Sequence, residues 1–422
     1  MSGGQPRRAV VTGLGVVSPH GIGAETFWKT VADGGSSLGP VTREGCGHLP
    51  LRVAGEVCDF DATELIEEPF LVQTDRFTHL ALTAAQLAMN DARLGRTDAD
   101  SPYSVGVVTA AGSGGGEFGQ RELQNLWGQG PRHVGPYQSI AWFYAASTGQ
   151  ISIRNGFKGP CGVVAGDEAG GLDALAHAAL AVHRGTDTVL VGATEAPLAP
   201  YSIVCQLGYP ELSRSADPQR AYRPFTSAAC GFVPAEGGAV LVLEDERAAR
   251  VRGAEARATV AGHAATFTGA SRWEESRAGL ARAIGTALAQ AGCRPGDVDV
   301  VFADALGVPE ADRAEALALA DALGPHARRV PVTAPKTGTG RAYCAAPVLD
   351  VAAAVLAMEH GMIPPTPHVF DICHDLDLVV GRARPAEPRT ALVLSRGLMG
   401  FNSALVLRQG GTPSSDRRST PA

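Results

Sequence analysis

Short apolar runs rich in β-branched residues alternate along the chain with longer alanine-rich stretches. The early runs show little alternation between polar and apolar positions, and they occupy residues 9–11, 105–108, 188–191 and 238–243. Strands of this kind are typical of parallel or mixed sheets that helices cover on both faces. Residues 78–94 and 170–184 are rich in alanine and leucine, and they predict the covering helices.

A second series of the same kind begins after residue 258. Strands are predicted at 298–303 and 389–394, and helices at 311–323 and 348–360. The charged stretch EDERAARVRGAEARA at 244–258 separates the two series and indicates a surface connector. We therefore predict two α/β halves, residues 1–253 and 254–409. The small, polar residues that follow predict a disordered tail at 410–422.

Composition and charge narrow the class of protein. The 422 residues are 45% hydrophobic, which is enough for large cores, and the net charge is −7 without a lysine-arginine tract. Nucleic acid is therefore an unsuitable partner. Gly13, Gly15 and Pro19 interrupt the first apolar run, so we expect a cytoplasmic protein with no membrane segment at its start. Eight cysteines lack C-x-x-C spacing, so we predict no metal site and no disulfide framework.

Five segments resemble successive landmarks of the β-ketoacyl synthases. They are AVVTGLGVVSPHG, THLALTAAQLAMNDA, RPFTSAACGFVPAEGGAVLVLED, PKTGTGR and GLMGFNSALVL, and they run in family order from Ala9 to Leu407. The resemblance implies an α/β thiolase-like fold, in which two duplicated α/β halves form five layers, αβαβα. It also implies that the protein works as a dimer.

The residues that the family uses for condensation are replaced. The family's cysteine nucleophile precedes Gly-Leu-Asp, and that position holds Glu168. The two family histidines align with Asp304 and Arg341, whereas the loop lysine is retained as Lys336. The turn that supplies an oxyanion-hole amide also departs, reading GLMG at 397–400. A chain without the nucleophile forms no acyl-enzyme, so we predict that it does not condense by itself.

The segment AGGLDA at 169–174 resembles the chain-length factors of bacterial type II aromatic polyketide synthases, although these usually have glutamine where Glu168 stands. This resemblance implies a heterodimer with a ketosynthase alpha subunit that sets polyketide chain length. It also implies an acyl carrier protein as a partner, whose phosphopantetheine carries the malonyl units and the growing polyketide. The chain itself is expected to bind no cofactor.

Two other functions stay open at this point. The chain is alternatively a malonyl-carrier-protein decarboxylase that supplies the starter unit. A self-sufficient β-ketoacyl synthase is disfavoured by the replaced residues. Cys161 and Cys344 lie near the former site, but Cys161 falls in the approach strand, and no histidine in the motif loops is placed to activate Cys344. We predict neither as a nucleophile.

The family fold predicts that Glu168, Asp304, Lys336 and Arg341 converge. Two carboxylates beside two cations form a balanced set, which either fills a dead cleft as an ion-pair network or contacts substrate. Lys336 and Arg341 are placed to hold Glu168 ionised. An ionised carboxylate repels a developing enolate, so we expect weak or absent decarboxylation.

Two further groups of residues follow from the resemblance. In chain-length factors, bulky residues on one helix close the far end of the tunnel, and the aligned positions are Gly116, Gly119 and Leu123. Two glycines predict an open wall, a product at the long end of the family range, and shorter products from Gly116→Phe. The aromatic run Trp142, Phe143 and Tyr144 suits an interface anchor, with packing inside one subunit as the alternative.

Overall fold

The structure is a computed structural model that describes residues 7–95, 101–269 and 273–411. The predicted tail lies outside the described residues, except for Gly410 and Gly411, which form a turn after the last strand.

The strands are β1 (Ala9–Ser18), β2 (Gly21–Ile22), β3 (Leu38–Pro40), β4 (Val53–Gly55), β5 (Val105–Ala110), β6 (Cys161–Val164), β7 (Thr188–Glu195), β8 (Gly237–Asp245), β9 (Ala258–Phe267), β10 (Val300–Phe302), β11 (Pro331–Thr333), β12 (Met362–Ile363), β13 (Asp377–Leu378), β14 (Arg384–Pro385), β15 (Thr390–Arg396) and β16 (Phe401–Gln409).

The helices are α1 (Ala24–Ala32), α2 (Ala62–Leu65), α3 (Glu68–Gln73), α4 (Arg76–Asp91), α5 (Gly116–Gln129), α6 (Gln138–Ala141), α7 (Ala146–Asn155), α8 (Gly170–His183), α9 (Pro200–Gln206), α10 (Glu246–Val251), α11 (Trp273–Gln290), α12 (Pro309–Leu323), α13 (Lys336–Thr339) and α14 (Ala346–His360).

Most strands join one mixed sheet, in the order β13-β11-β10-β15-β16-β9-β1-β8-β7-β5-β6. In the first half, β5 runs parallel to β6 and β7; in the second half, β10 runs parallel to β11 and β15. The halves meet where β1 pairs antiparallel with β9, at Val10↔Thr259 and Val11↔Ala258. The predicted mixed sheet with fully buried strands is confirmed.

The packing gives five layers. Helices α8 and α14 lie at the centre, in a core that includes residues from the inner faces of both halves' strands. Helix α4 covers the outer face of the first half, and α11 and α12 cover that of the second. Tyr343–His360 is long and apolar enough to cross a membrane, but 83% of it is buried in this central layer. The predicted αβαβα arrangement is therefore confirmed.

Glycine allows the close contact between the first strand and its covering helix. A Cβ atom on Gly13 or Gly15 would overlap the carbonyl oxygens of Ala88 or Ala84 in α4. The alanine-rich surface of α4 thus lies directly on the backbone of β1, which explains why both stretches are rich in small residues.

The charged stretch at 244–258 is not a simple surface connector. Glu244 and Asp245 end β8 and are buried, and Glu244 binds Arg252 with 2.7 Å between Oε1 and Nε. Asp245 also caps α10 by accepting a hydrogen bond from the Arg247 amide at 3.1 Å. Each of the two buried carboxylates thus has a nearby hydrogen-bond donor, which the composition of the stretch does not reveal. The division at 253/254 falls between α10 and β9 and stays a prediction.

Candidate functional site

Glu168 and Arg341 form a buried ion pair between the two halves. Glu168 immediately precedes the start of α8, and Arg341 follows α13. The Arg341 guanidinium donates from Nε and Nη2 to Glu168 Oε2, at 2.7 and 2.5 Å. Both side chains are 1% exposed. The backbone of Arg341 is held in turn by Val233, whose carbonyl accepts from its amide at 2.7 Å.

Asp304, just after β10, lies between two guanidinium groups. Arg341 Nη2 donates to Asp304 Oδ1 at 2.8 Å, and Arg396 Nε donates to Oδ2 at 3.2 Å. Although burial opposes ionisation, the positive charges of Arg341, Arg396 and Lys336 lower the pKa of Asp304 to about 2. Asp304 is therefore ionised at neutral pH and links the pair at Glu168 to a second set of charges.

That second set, Arg396 and Glu315, was not predicted. Arg396 ends β15 and donates from Nη2 to Glu315 Oε2 at 3.0 Å. Glu315, on α12, also accepts from the backbone amides of Asp304 and Ala305, at 2.7 and 2.9 Å. An arginine at the end of a mostly apolar strand is a weak sequence signal for such a buried partner. The site therefore extends beyond the four predicted residues, as a series of ion pairs that ends with Arg396 and Glu315.

Lys336 has a different partner from the one expected. It begins the short helix α13 instead of lying in a loop, and its Nζ is 2.6 Å from Asp350 Oδ2 in the apolar helix α14. Its Nζ also donates to the Asp304 carbonyl at 3.2 Å. Burial raises the pKa of Asp350 to about 6, with Lys336 opposing that rise. A carboxylate inside the apolar run APVLDVAAAVLAM was the available signal for this pair.

The cations do not hold the pKa of Glu168 below its usual value. Burial raises the pKa of Glu168 to about 7, because desolvation outweighs the attraction of Arg341. Within the described residues, Glu168 Oε1 has no hydrogen-bond partner. A glutamate whose second oxygen is neither solvated nor paired is stabilised by taking up a proton.

A pH-dependent stability follows from Glu168. Its folded pKa lies above the unfolded value, so its stabilising contribution is complete below about pH 4.5 and is lost as the pH rises through 7. We expect Glu168→Gln to flatten the decline in thermal unfolding midpoint over this range. The purified assembly is to be scanned at several pH values, with Glu64→Gln, an exposed carboxylate, as control. A slope equal to that of the unaltered protein would contradict the assignment.

Neither cysteine near the site is placed as a nucleophile. Cys344 is fully buried, burial raises its pKa further, and its Sγ donates to the Asp167 carbonyl at 2.8 Å. Cys161 lies in β6, with its Sγ 3.2 Å from Ser152 Oγ, away from the start of α8. A reactive thiol needs a lowered pKa and a nearby base, and Cys344 has the opposite environment.

The carboxylate of Asp167 accepts a hydrogen bond from the turn at 397–400. Asp167, next to Glu168, has a left-handed backbone (φ 52°), and its Oδ2 accepts a hydrogen bond from the Met399 amide at 3.1 Å. An oxyanion hole requires free amide donors aimed at the substrate. Here one amide of the turn is already bonded, in agreement with the predicted departure from a condensing site.

Gly116, Gly119 and Leu123 lie on one face of α5, and Phe118 and Glu122 are the buried residues of this helix. The two glycines differ in the space around them. A Cβ atom on Gly116 would overlap Ser202 Oγ, whereas one on Gly119 would lie 3.9 Å from Trp142 Cβ and 4.0 Å from Gln138 Nε2. Gly116→Phe therefore requires Ser202 to move, and its effect on product length stays a prediction.

The aromatic run is exposed rather than buried. Trp142, Phe143 and Tyr144 are 51%, 43% and 39% exposed, and the ring centroids of the last two are 4.8 Å apart. Packing inside one subunit therefore does not describe them in the isolated chain. Strand β6, nearby in sequence, is the last strand at its end of the sheet and is exposed or half-buried. A free strand edge and an apolar surface both favour contact with another chain.

Family profiles and sequence relatives identify the same family along most of the chain. The family profiles described as Beta-ketoacyl synthase, N-terminal domain and C-terminal domain match residues 7–249 and 257–370. A putative polyketide beta-ketoacyl synthase 2 from Streptomyces halstedii is 85% identical over 408 residues, covering 97% of this chain and 99% of that protein.

Two solved structures are similar over the whole fold. The ishigamide ketosynthase/chain length factor has a TM-score of 0.87 and 28% identity, covering 96% of this chain and 100% of the other. A type II polyketide synthase acyl-carrier protein in complex with its ketosynthase bound to the hexaketide gives 0.86 and 29%, with the same coverage.

Proposed function

Because this chain belongs to the β-ketoacyl synthase family, we propose that it is the chain-length factor of a type II aromatic polyketide synthase. It pairs one-to-one with a condensing ketosynthase subunit in the cytoplasm. The substrate arrives as a thioester on the phosphopantetheine arm of an acyl carrier protein. The chain itself contributes shape to the tunnel and performs no condensation.

The replaced active site is the observation that carries this proposal. Glu168 occupies the nucleophile position and is bound by Arg341, and Asp304 is closed between Arg341 and Arg396. Arg341 binds both carboxylates in a buried cluster, and these side chains stand where a condensing enzyme has its thiol and imidazoles. Removal of a covalent nucleophile eliminates the acyl-enzyme route, so the condensing chemistry belongs to the partner.

Chain length is set where α5 faces the subunit boundary. Of the glycines on this face, Gly119 accepts a Cβ atom without overlap, whereas a larger residue at Gly116 requires Ser202 to move. The exposed Trp142, Phe143 and Tyr144 lie beside it and anchor the partner subunit. We therefore expect a long product, decaketide or longer rather than octaketide.

The test is reconstitution with a ketosynthase alpha subunit and an acyl carrier protein of a type II aromatic polyketide synthase. We expect a stable one-to-one heterodimer that makes one dominant long polyketide, and no condensation by this chain alone. The masses of the released polyketides give the chain length. A stable monomer with full condensing activity would refute the proposal.

The decarboxylase alternative is tested in the same assembly. Glu168 is 1% exposed and its Oε2 is bonded to Arg341, so little carbon dioxide should come from malonyl carrier protein at this site. Carbon dioxide release is measured with the partner's nucleophile and both of its catalytic histidines replaced, so that only this subunit contributes. We expect release near background and a higher rate from Glu168→Gln, whose neutral amide can donate a hydrogen bond to an enolate. Rapid release by the unaltered chain would support the decarboxylase instead.

A further inference from the structure

Two helices begin at one buried carboxylate, that of Asp75. Its Oδ1 accepts a hydrogen bond from the Phe77 amide at 3.0 Å and thereby caps α4. Its Oδ2 accepts from the Phe118 amide at 2.7 Å, in the first turn of α5. Asp75 is 2% exposed. The first amides of a helix lack intrahelical partners, and a carboxylate at that end satisfies them and interacts favourably with the helix dipole.

Helix α5 depends on this distant cap because it has none of its own. Gly115 stands at its N-cap position and has no side chain to accept a hydrogen bond. A cap side chain cannot be added at Gly115 without overlap, since a Cβ atom there would contact the Ala141 carbonyl. The acceptor that orders the first turn of α5 is therefore supplied from the start of α4, 43 residues earlier in the chain.

Asp75 is itself held firmly to the sheet. The next residue, Arg76, donates from Nε to the buried Glu236 at 2.8 Å and from Nη2 to the Val57 carbonyl at 3.0 Å. Thr194, in β7, donates to the Phe77 carbonyl at 2.8 Å. Contacts on the residues that follow Asp75 thus fix the carboxylate relative to β7 and β8, and through it the start of α5.

Phe118 lies between Gly116 and Gly119 in the first turn of α5 and is buried. A shift of its amide would change the distance of both glycines from Ser202 and Trp142, which are their nearest neighbours. We propose that Asp75 is a positioning residue for chain length. It fixes the position of the first turn of α5, and with it the face of α5 that carries Gly116 and Gly119. This inference rests on the proposed function.

The experiment uses Asp75→Ser in the reconstituted heterodimer. Serine is a good N-cap for α4, but its side chain is too short to reach Phe118, so only the bond to α5 is lost. We expect the product to change from one dominant length to a mixture. Amide exchange of residues 116–120 should rise by about tenfold, as expected for loss of one charge-assisted hydrogen bond. A merely structural role would lower the yield without altering the length distribution.

Controls separate this inference from the proposed function. Asp61→Ser makes the same substitution at the exposed N-cap of α2 and should leave the products unchanged. Gly119→Phe tests the tunnel face directly. An altered length with Gly119→Phe but not with Asp75→Ser overturns the role of Asp75 alone, whereas no change in either refutes both claims. If Asp75→Ser does not assemble, Asp75→Asn replaces it, because its Nδ2 is a donor and takes the place of one of the two accepting oxygens. Failure of both to assemble also overturns the inference.

Discussion

Replacing Arg341 by leucine is expected to destabilise the assembled protein by about 3–5 kcal/mol, the usual cost of breaking a buried ion pair from one side. The substitution would leave Glu168 without the guanidinium that binds it and Asp304 with one guanidinium instead of two. All three side chains are at most 1% exposed, so water cannot replace the lost partner. The two halves of the fold would also lose the ion pair between Glu168 and Arg341.

Chemical denaturation of the purified heterodimer measures this effect. The matched control is Arg277→Leu, since Arg277 pairs with Asp321 at 2.6 Å but both side chains are about two-fifths exposed. That change should cost at most about 1 kcal/mol. Adding Glu168→Gln to Arg341→Leu should recover part of the loss by removing the unpaired carboxylate. Equal effects of Arg341→Leu and Arg277→Leu would show that the buried cluster contributes no more than a surface pair.

The second large effect is expected from Gly119→Phe, which should shorten the polyketide. A Cβ atom at this position would make only ordinary van der Waals contacts, with Trp142 Cβ at 3.9 Å and Gln138 Nε2 at 4.0 Å. If this face of α5 lines the tunnel, as proposed, a benzyl group there occupies volume that the growing chain would otherwise use. Because packed protein interiors contain few spare voids, the lost volume should appear as fewer extension cycles.

Product masses from the reconstituted system measure the length. Gly128→Phe is the matched control, because it places the same residue in the same helix, on a different face and with no neighbour within 4 Å. It should leave the length unchanged. Gly116→Phe should also shorten the product, with a lower yield of assembled protein because Ser202 must move. An unaltered product from a correctly assembled Gly119→Phe heterodimer would show that this face does not measure the chain.

Much of the architecture followed from the order of apolar runs and landmark segments. Buried strands without polar alternation require helices on both faces, and a repeated series of such strands indicates two similar halves. The same order identified Glu168, Asp304 and Arg341 as the replaced residues, and the structure brings all three together. Sequence was sufficient here because each position is tied to a recognisable local segment.

Tertiary structure alone decided which charges pair and how they titrate. Lys336 pairs with Asp350 rather than with Glu168, and Arg396 and Glu315 complete the cluster from elements that carry no landmark. The cap from Asp75 to α5 likewise joins residues that local pattern cannot relate. Each of these depends on distances between residues far apart in the chain and on the exclusion of water. Burial, which no single residue encodes, is the reason that the pKa of Glu168 rises although an arginine binds it.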